Sequence, residues 1–292
     1  MSRRNIFQIA ELNNNFGKQA ERICRLFEDE DTIVINQHDS YDLKGFIESY
    51  CFEDWKNRGY CIDLDDFLDL ISYNEIKGKA IRNFDYFLTF NELVYNFYYL
   101  AKGLLENDQW RYDSNIGVYE FYSEFDLLHT VLEDSLTQYN YKAFYNPETE
   151  QLLVIEDKPE VTAVAEIIEE PLALAVIRYN HHSMKGDLSA KKDILLKLGS
   201  YLEGKRDEVK AANSKLESII FIMLNSLNIR HNNCDPSNKG KYKQVVADMT
   251  SKSLEKWYDE LYQMILLVIL EMDNKERMKK FEELKKAITG GN

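Results

Sequence analysis

The chain has 292 residues, of which 45% are hydrophobic, and a formal net charge of −14 at pH 7. That is enough apolar material for one large globular domain or two of ordinary size. The longest unbroken apolar run, Met264 to Leu270, is seven residues. This is far below the roughly 20 needed to cross a bilayer, and "MSRRNIFQIAELNNN" has no apolar signal core, so a cytoplasmic protein without membrane attachment is expected.

Charge and aromatic content divide the chain unevenly. Residues 1–150 hold 14 Lys+Arg against 28 Asp+Glu, while residues 151–292 hold 22 of each. From Pro171 onward the balance is net +5, and 29 of the 37 aromatic residues lie in the first 150 positions. Two modules are expected, 1–150 acidic and aromatic-rich, 151–292 locally able to approach a polyanion. Cys24, Cys51, Cys61 and Cys234 form no CxxC pair, so buried reduced thiols are expected instead of a disulfide scaffold or a zinc site.

Taken in chain order, Ile9, Leu12, Phe16, Ala20, Ile23 and Leu26 recur at helical spacing, predicting an amphipathic helix over 7–27. "DTIVINQHD" suits a short strand or a loop. "DLKGFIESYCFEDWKNRG" predicts a helix stopped by Gly59, and residues 63–108 predict two more, with Phe84, Phe87, Leu88, Asn91, Tyr95 and Tyr98 as a core or interface stripe. The acids Asp63, Asp65, Asp66 and Asp69 read as a solvated helix N-terminus, where negative charge suits the helix dipole. Two helical stretches are expected around 118–139. Apolar runs flanking Asn146-Pro147-Glu148-Thr149 then predict a β-hairpin near 141–156, a border between modules.

Beyond Pro159 four amphipathic helices are expected: 160–182, 188–210, 214–229, and 254 towards 286, the fourth opening after a capping "MTSKS". Short connections make an antiparallel four-helix bundle the natural packing. The overall expectation is a mainly α protein.

The one long polar connection in that bundle, 230–250, opens with "NIRHNNCD": Asn228, Arg230, His231, Asn232, Asn233 and Asp235 stand close together. An imidazole can take the 2′-OH proton of RNA and return one to the leaving oxygen, while a guanidinium stabilises the charge on phosphate oxygens. The amides could fix the His tautomer. Equally, "NNCDPSNKG" is turn material, and Arg230 and His231 can cap the third helix. A second group, Arg178, His181 and His182, closes the first bundle helix and would join the first if all four helices run regularly; alone it is an ordinary helix end. No phosphate loop, HExxH or GxSxG motif is present, and no metal or cofactor is indicated.

On "LNIRHNNCDPSNKGKY…WYDELYQMILLVILEMD", residues 160–285 resemble the HEPN superfamily of helical domains, in particular bacterial abortive-infection-like proteins. The resemblance implies a cytoplasmic phage-defence or toxin-type module, commonly a homodimer, whose active members are metal-independent endoribonucleases pairing Arg and His across the dimer cleft. Arg230 fits the Arg of that motif; its His would fall around Asp235 to Ser237, whereas here His231 is adjacent. Residues 1–150 match no recognised family. The expected functions are therefore an RNA-binding ribonuclease with Arg230 and His231 catalytic, or a non-catalytic dimerising adaptor. In the latter the acidic half binds a protein partner or inhibits the second half.

Overall fold

A computed structural model describes residues 15–290. Among these are fourteen α-helices and five short strands, and the chain divides into two compact units, Met1–Asp157 and Lys158–Asn292.

The first unit begins with α1 (Phe16–Glu28), whose N-cap Asn15 accepts from the Lys18 amide. The expected stretch before it, including Ile9 and Leu12, lies outside the described residues. "DTIVINQHD" forms β1 (Ile33–Ile35) and leads into β2 (Asp39–Tyr41), the turn using the left-handed Asn36 and Gln37; β3 (Tyr119–Phe121) pairs antiparallel on the other edge of β1. Then α2 (Leu43–Phe46) runs into a π-helical turn, Ile47–Cys51, and Lys56–Arg58 form a single 3-10 turn before Gly59. Residues 63–108 build three helices where two were expected: α3 (Leu64–Leu70), α4 (Tyr73–Ala80) and α5 (Phe84–Leu105). The extra break falls at Ser72, which is left-handed at φ 57°. Asp63 caps α3 by accepting the Asp66 amide, the role the acidic cluster suggested.

After α6 (Asp108–Asp113) and β3, a single helix α7 (Ser123–Gln138) occupies the region where two helical stretches were expected. The predicted hairpin is present as β4 (Tyr141–Asn146) and β5 (Gln151–Glu156), paired from Tyr141↔Glu156 to Asn146↔Gln151. The unit border follows it instead of bisecting it. Asn96 of α5 donates to the Leu152 carbonyl and accepts its amide, and Glu92 accepts the Val154 amide, which ties β5 into the first unit. The aromatic excess is its core: Phe27 stacks on Phe97 at 5.8 Å, and Phe46, Phe52, Phe87, Phe90 and Phe125 are buried beside them. Burial of each such ring contributes about 1.5–3 kcal/mol.

The regular elements of the second unit are all helices. The expected 160–182 helix is split into α8 (Pro159–Ala165) and α9 (Glu170–Tyr179), because Pro171 cannot continue a helix but suits its first turn. The 188–210 stretch likewise becomes α10 (Leu188–Gly204) and α11 (Arg206–Ala212). α12 (Ser214–Ser226), the single turn α13 (Gln244–Ala247) and the 39-residue α14 (Ser251–Thr289), capped by Thr250 as "MTSKS" suggested, complete the bundle. Lys191 near the start of α10 meets Glu255 and Asp259 near the start of α14, and Lys275, farther along α14, reaches the Ala211 carbonyl. Tyr201 near the end of α10 lines one cleft with Ile269 and Met272 of α14, so α10 and α14 run in one direction. α9 and α12 run in the other, since Tyr179 meets Asp259 while Asn213 meets Glu271. Leu195, Leu198, Leu202, Ile220, Leu224, Ile265 and Ile269 fill the space between. Among the described residues no helix is long and apolar enough to cross a membrane.

Candidate functional site

The polar junction after α12 is organised by two asparagines. Asn228 is left-handed at φ 59°, a conformation its short amide side chain tolerates. It turns the chain back so that the Arg230 amide donates to the Leu224 carbonyl at 3.0 Å. Asn233 is 0% exposed. Its Oδ1 accepts the Asn228 amide at 2.8 Å, and its Nδ2 donates to the carbonyls of Asn225 at 3.1 Å and Lys241 at 2.6 Å. In return, its own amide donates to Asn228 Oδ1 at 3.1 Å. A buried amide with both N–H groups used costs little to bury, whereas one left unmatched costs several kcal/mol. The two ends of the loop are closed on this one side chain.

Arg230 turns inward. Its side chain is 17% exposed, with Nη2 2.7 Å from Glu203 and 3.1 Å from the Gly199 carbonyl. The guanidinium carbon also stands 5.5 Å from the centre of the Phe221 ring. A Cβ on Gly199 would meet Leu224 Cδ1 at 2.9 Å, so the glycine lets α10 and α12 approach beneath the guanidinium. His231 is half-buried and Asn232 exposed. Asp235 accepts the Ser237 amide at 2.8 Å, and the Ser237 hydroxyl and amide together hold its carboxyl below the usual carboxylate range. The run therefore divides by role: Asn228, Arg230 and Asn233 build the junction, while His231 stays half-buried and Asn232 is exposed.

In the second group, Arg178 is exposed. His181 caps the 3-10 turn His182–Met184, with its Nδ1 accepting the Ser183 amide at 3.2 Å, and the His181 and His182 rings lie 4.3 Å apart. The helices do alternate regularly, yet the Arg230 guanidinium does not reach this end of the bundle. It binds Gly199 and Glu203, and Gly199 lies eleven residues into α10, roughly 16 Å of helix beyond the end at which the histidines stand.

Beside that end lies a polar cluster that the sequence reading missed. Lys191 is 6% exposed and pairs with Glu255 at 2.8 Å and Asp259 at 2.7 Å, while the Tyr179 hydroxyl donates to Asp259 at 2.9 Å. Burial and the neighbouring Asp259 push the Tyr179 hydroxyl well above the ordinary tyrosine range. Burial opposes ionisation of Glu255, but the Gly186 amide and Lys191 outweigh it and hold the carboxyl below its usual value. The signal was present in the spacing, because Lys191 shares the inward stripe of Ile194, Leu195 and Leu198.

The first unit contains a cleft of about 890 Å³ between α5, α7, the β4–β5 hairpin and the Trp55 turn. On its lining, His129 Nε2 lies 3.3 Å from the Tyr95 hydroxyl and 3.2 Å from that of Tyr99, with Nδ1 3.9 Å from Glu133. The His129 ring stacks on Tyr95 at 5.7 Å. Burial pushes the Tyr95 hydroxyl far above its ordinary range, so it stays a neutral hydrogen-bonding group. Tyr99 and Tyr145 expose ring surface at the rim. Sequence periodicity marked Tyr95 as stripe but gave no reason to pair it with His129, since the two meet only when α5 and α7 pack.

No family model, curated protein or solved structure matches this chain.

Proposed function

We propose that the chain is a non-catalytic binding protein of adaptor type, in which the acidic first unit takes a protein partner and the HEPN-like second unit is a structural and dimerising bundle. The observation that carries this reading is the state of Arg230: its guanidinium is already bound to Glu203 and Gly199. A phosphate would have to compete with a carboxylate that already neutralises this charge. A cytoplasmic setting and a homodimer belong to the same proposal. The test is incubation of the purified protein with total RNA or tRNA in EDTA. Intact RNA supports the adaptor, and cleavage that fractionates with the protein overturns it.

The second reading is a metal-independent endoribonuclease of phage-defence or toxin type. It is favoured by half-buried His231 on a loop that also exposes Lys239, Lys241 and Lys243, cations suited to a phosphate backbone. In that reading His231 is the acid and base, Arg230 leaves Glu203 to stabilise phosphate, and Asn232 orients the imidazole.

A further inference from the structure

We propose that the cleft around His129 is a receptor for an arginine side chain presented by a basic segment of a partner protein. The inference deepens the adaptor reading and rests on it.

Three properties of the cleft point to this ligand. The first is shape and material: about 890 Å³ is room for more than one side chain, and its exposed rings, Tyr99 at 42% and Tyr145 at 55%, offer aromatic faces. Aromatic faces attract cations, guanidinium above all, because the planar ion stacks as well as pairs. The second is charge. Asp54, Glu133 and Glu150 line the cleft against the single cation Lys56, which is itself held by Glu150 at 2.7 Å. Glu133 stands 64% exposed, with His129 Nδ1 at 3.9 Å, beyond hydrogen-bonding length. Its carboxylate can therefore accept a bidentate fork of N–H donors. The third is the setting, since the cleft lies in the half of the chain that carries the whole net charge of −14. Such a field draws in basic segments and repels nucleic acid.

The floor of the cleft is rigid. Asn96 is tied to Leu152 by two bonds of 2.8 and 2.9 Å, and the Tyr95 and Tyr99 hydroxyls are both within 3.3 Å of His129, so little ordering remains to be done on binding. An arginine would stack on Tyr99 with its guanidinium directed at Glu133, while flanking cations of the same segment face Asp54 and Glu150. Lysine would fit less well, having a point charge and no plane.

The test is titration of the full-length protein with octa-arginine and octa-lysine peptides, by calorimetry in 0.15 M salt, against the variants Tyr99→Ala and Glu133→Gln. Both positions are well exposed, and circular dichroism verifies that each variant is folded. The expected result is octa-arginine binding that weakens about five- to tenfold in each variant, with octa-lysine binding less tightly to wild type. Absence of wild-type binding overturns the proposal, and so does equal affinity in wild type and both variants, which would leave only diffuse attraction to an acidic surface. Failure here leaves the adaptor reading standing, because that reading falls on RNA cleavage and not on peptide affinity.

Discussion

Asn228 and Asn233 hold each other: each side-chain Oδ1 accepts the other's backbone N–H, at 3.1 and 2.8 Å. Through this reciprocal pair an eight-residue, largely polar run that resembles an active site becomes the hinge pin of a helical bundle.

Replacing Asn233 with Leu keeps the branched heavy-atom shape of the amide, at somewhat larger volume, but strands the Asn228 amide and the carbonyls of Asn225 and Lys241. A loss of about 2–4 kcal/mol is expected in urea unfolding. At Asn228, Ala and Gly both lose the Oδ1 acceptor, but only Gly relieves the left-handed backbone at φ 59°. Asn228→Ala should therefore be less stable than Asn228→Gly by about 1 kcal/mol.

Lys191 brings charge into the bundle between Glu255 and Asp259. Lys191→Ala is expected to cost about 2–4 kcal/mol, because it leaves a mostly buried Glu255 without its cation. Lys191→Met combined with Glu255→Leu should recover much of that loss, as an apolar pair commonly replaces a buried ion pair. Thermal unfolding of the single and double variants checks both.

Because Glu255 has a depressed pKa in the folded protein, the unfolded chain binds its proton more tightly. Its stabilising contribution is thus complete above the ordinary glutamate value of roughly 4.3 and disappears as pH falls through the folded value. Urea midpoints followed from pH 7 to pH 3 should fall more steeply in wild type than in Glu255→Gln. Parallel curves would contradict this assignment.

The parts of the fold legible in sequence are those fixed by local chemistry. The hairpin near 141–156 is legible because Asn146-Pro147-Glu148-Thr149 supplies the turn and apolar runs supply both strands. Asp63 and Thr250 announced helix starts by the same logic. Composition set the border between the units early, because the hairpin's allegiance depends on Glu92 and Asn96, more than fifty residues away. Across 160–182 apolar spacing continues on both sides of Pro171, and residues 166–169, which separate α8 from α9, carry no Gly or Pro to mark the break. The candidate site was half legible: spacing identified the junction and its turn chemistry. It could not reveal that Arg230 points back along α10, since Glu203 and Gly199 are contributed by a different helix. Lys191 and His129 were missed for the same reason, their partners being assembled by packing.

The central claim, that Arg230 is a structural tether and not a phosphate-binding catalyst, is tested most directly by measuring stability and RNA cleavage together in wild type, Arg230→Ala and His231→Ala. We predict that Arg230→Ala loses about 1–3 kcal/mol of unfolding free energy, that His231→Ala stays within about 0.5 kcal/mol of wild type, and that none of the three cleaves RNA in EDTA. Cleavage by wild type that both substitutions abolish, with unfolding free energies unchanged, would contradict the account.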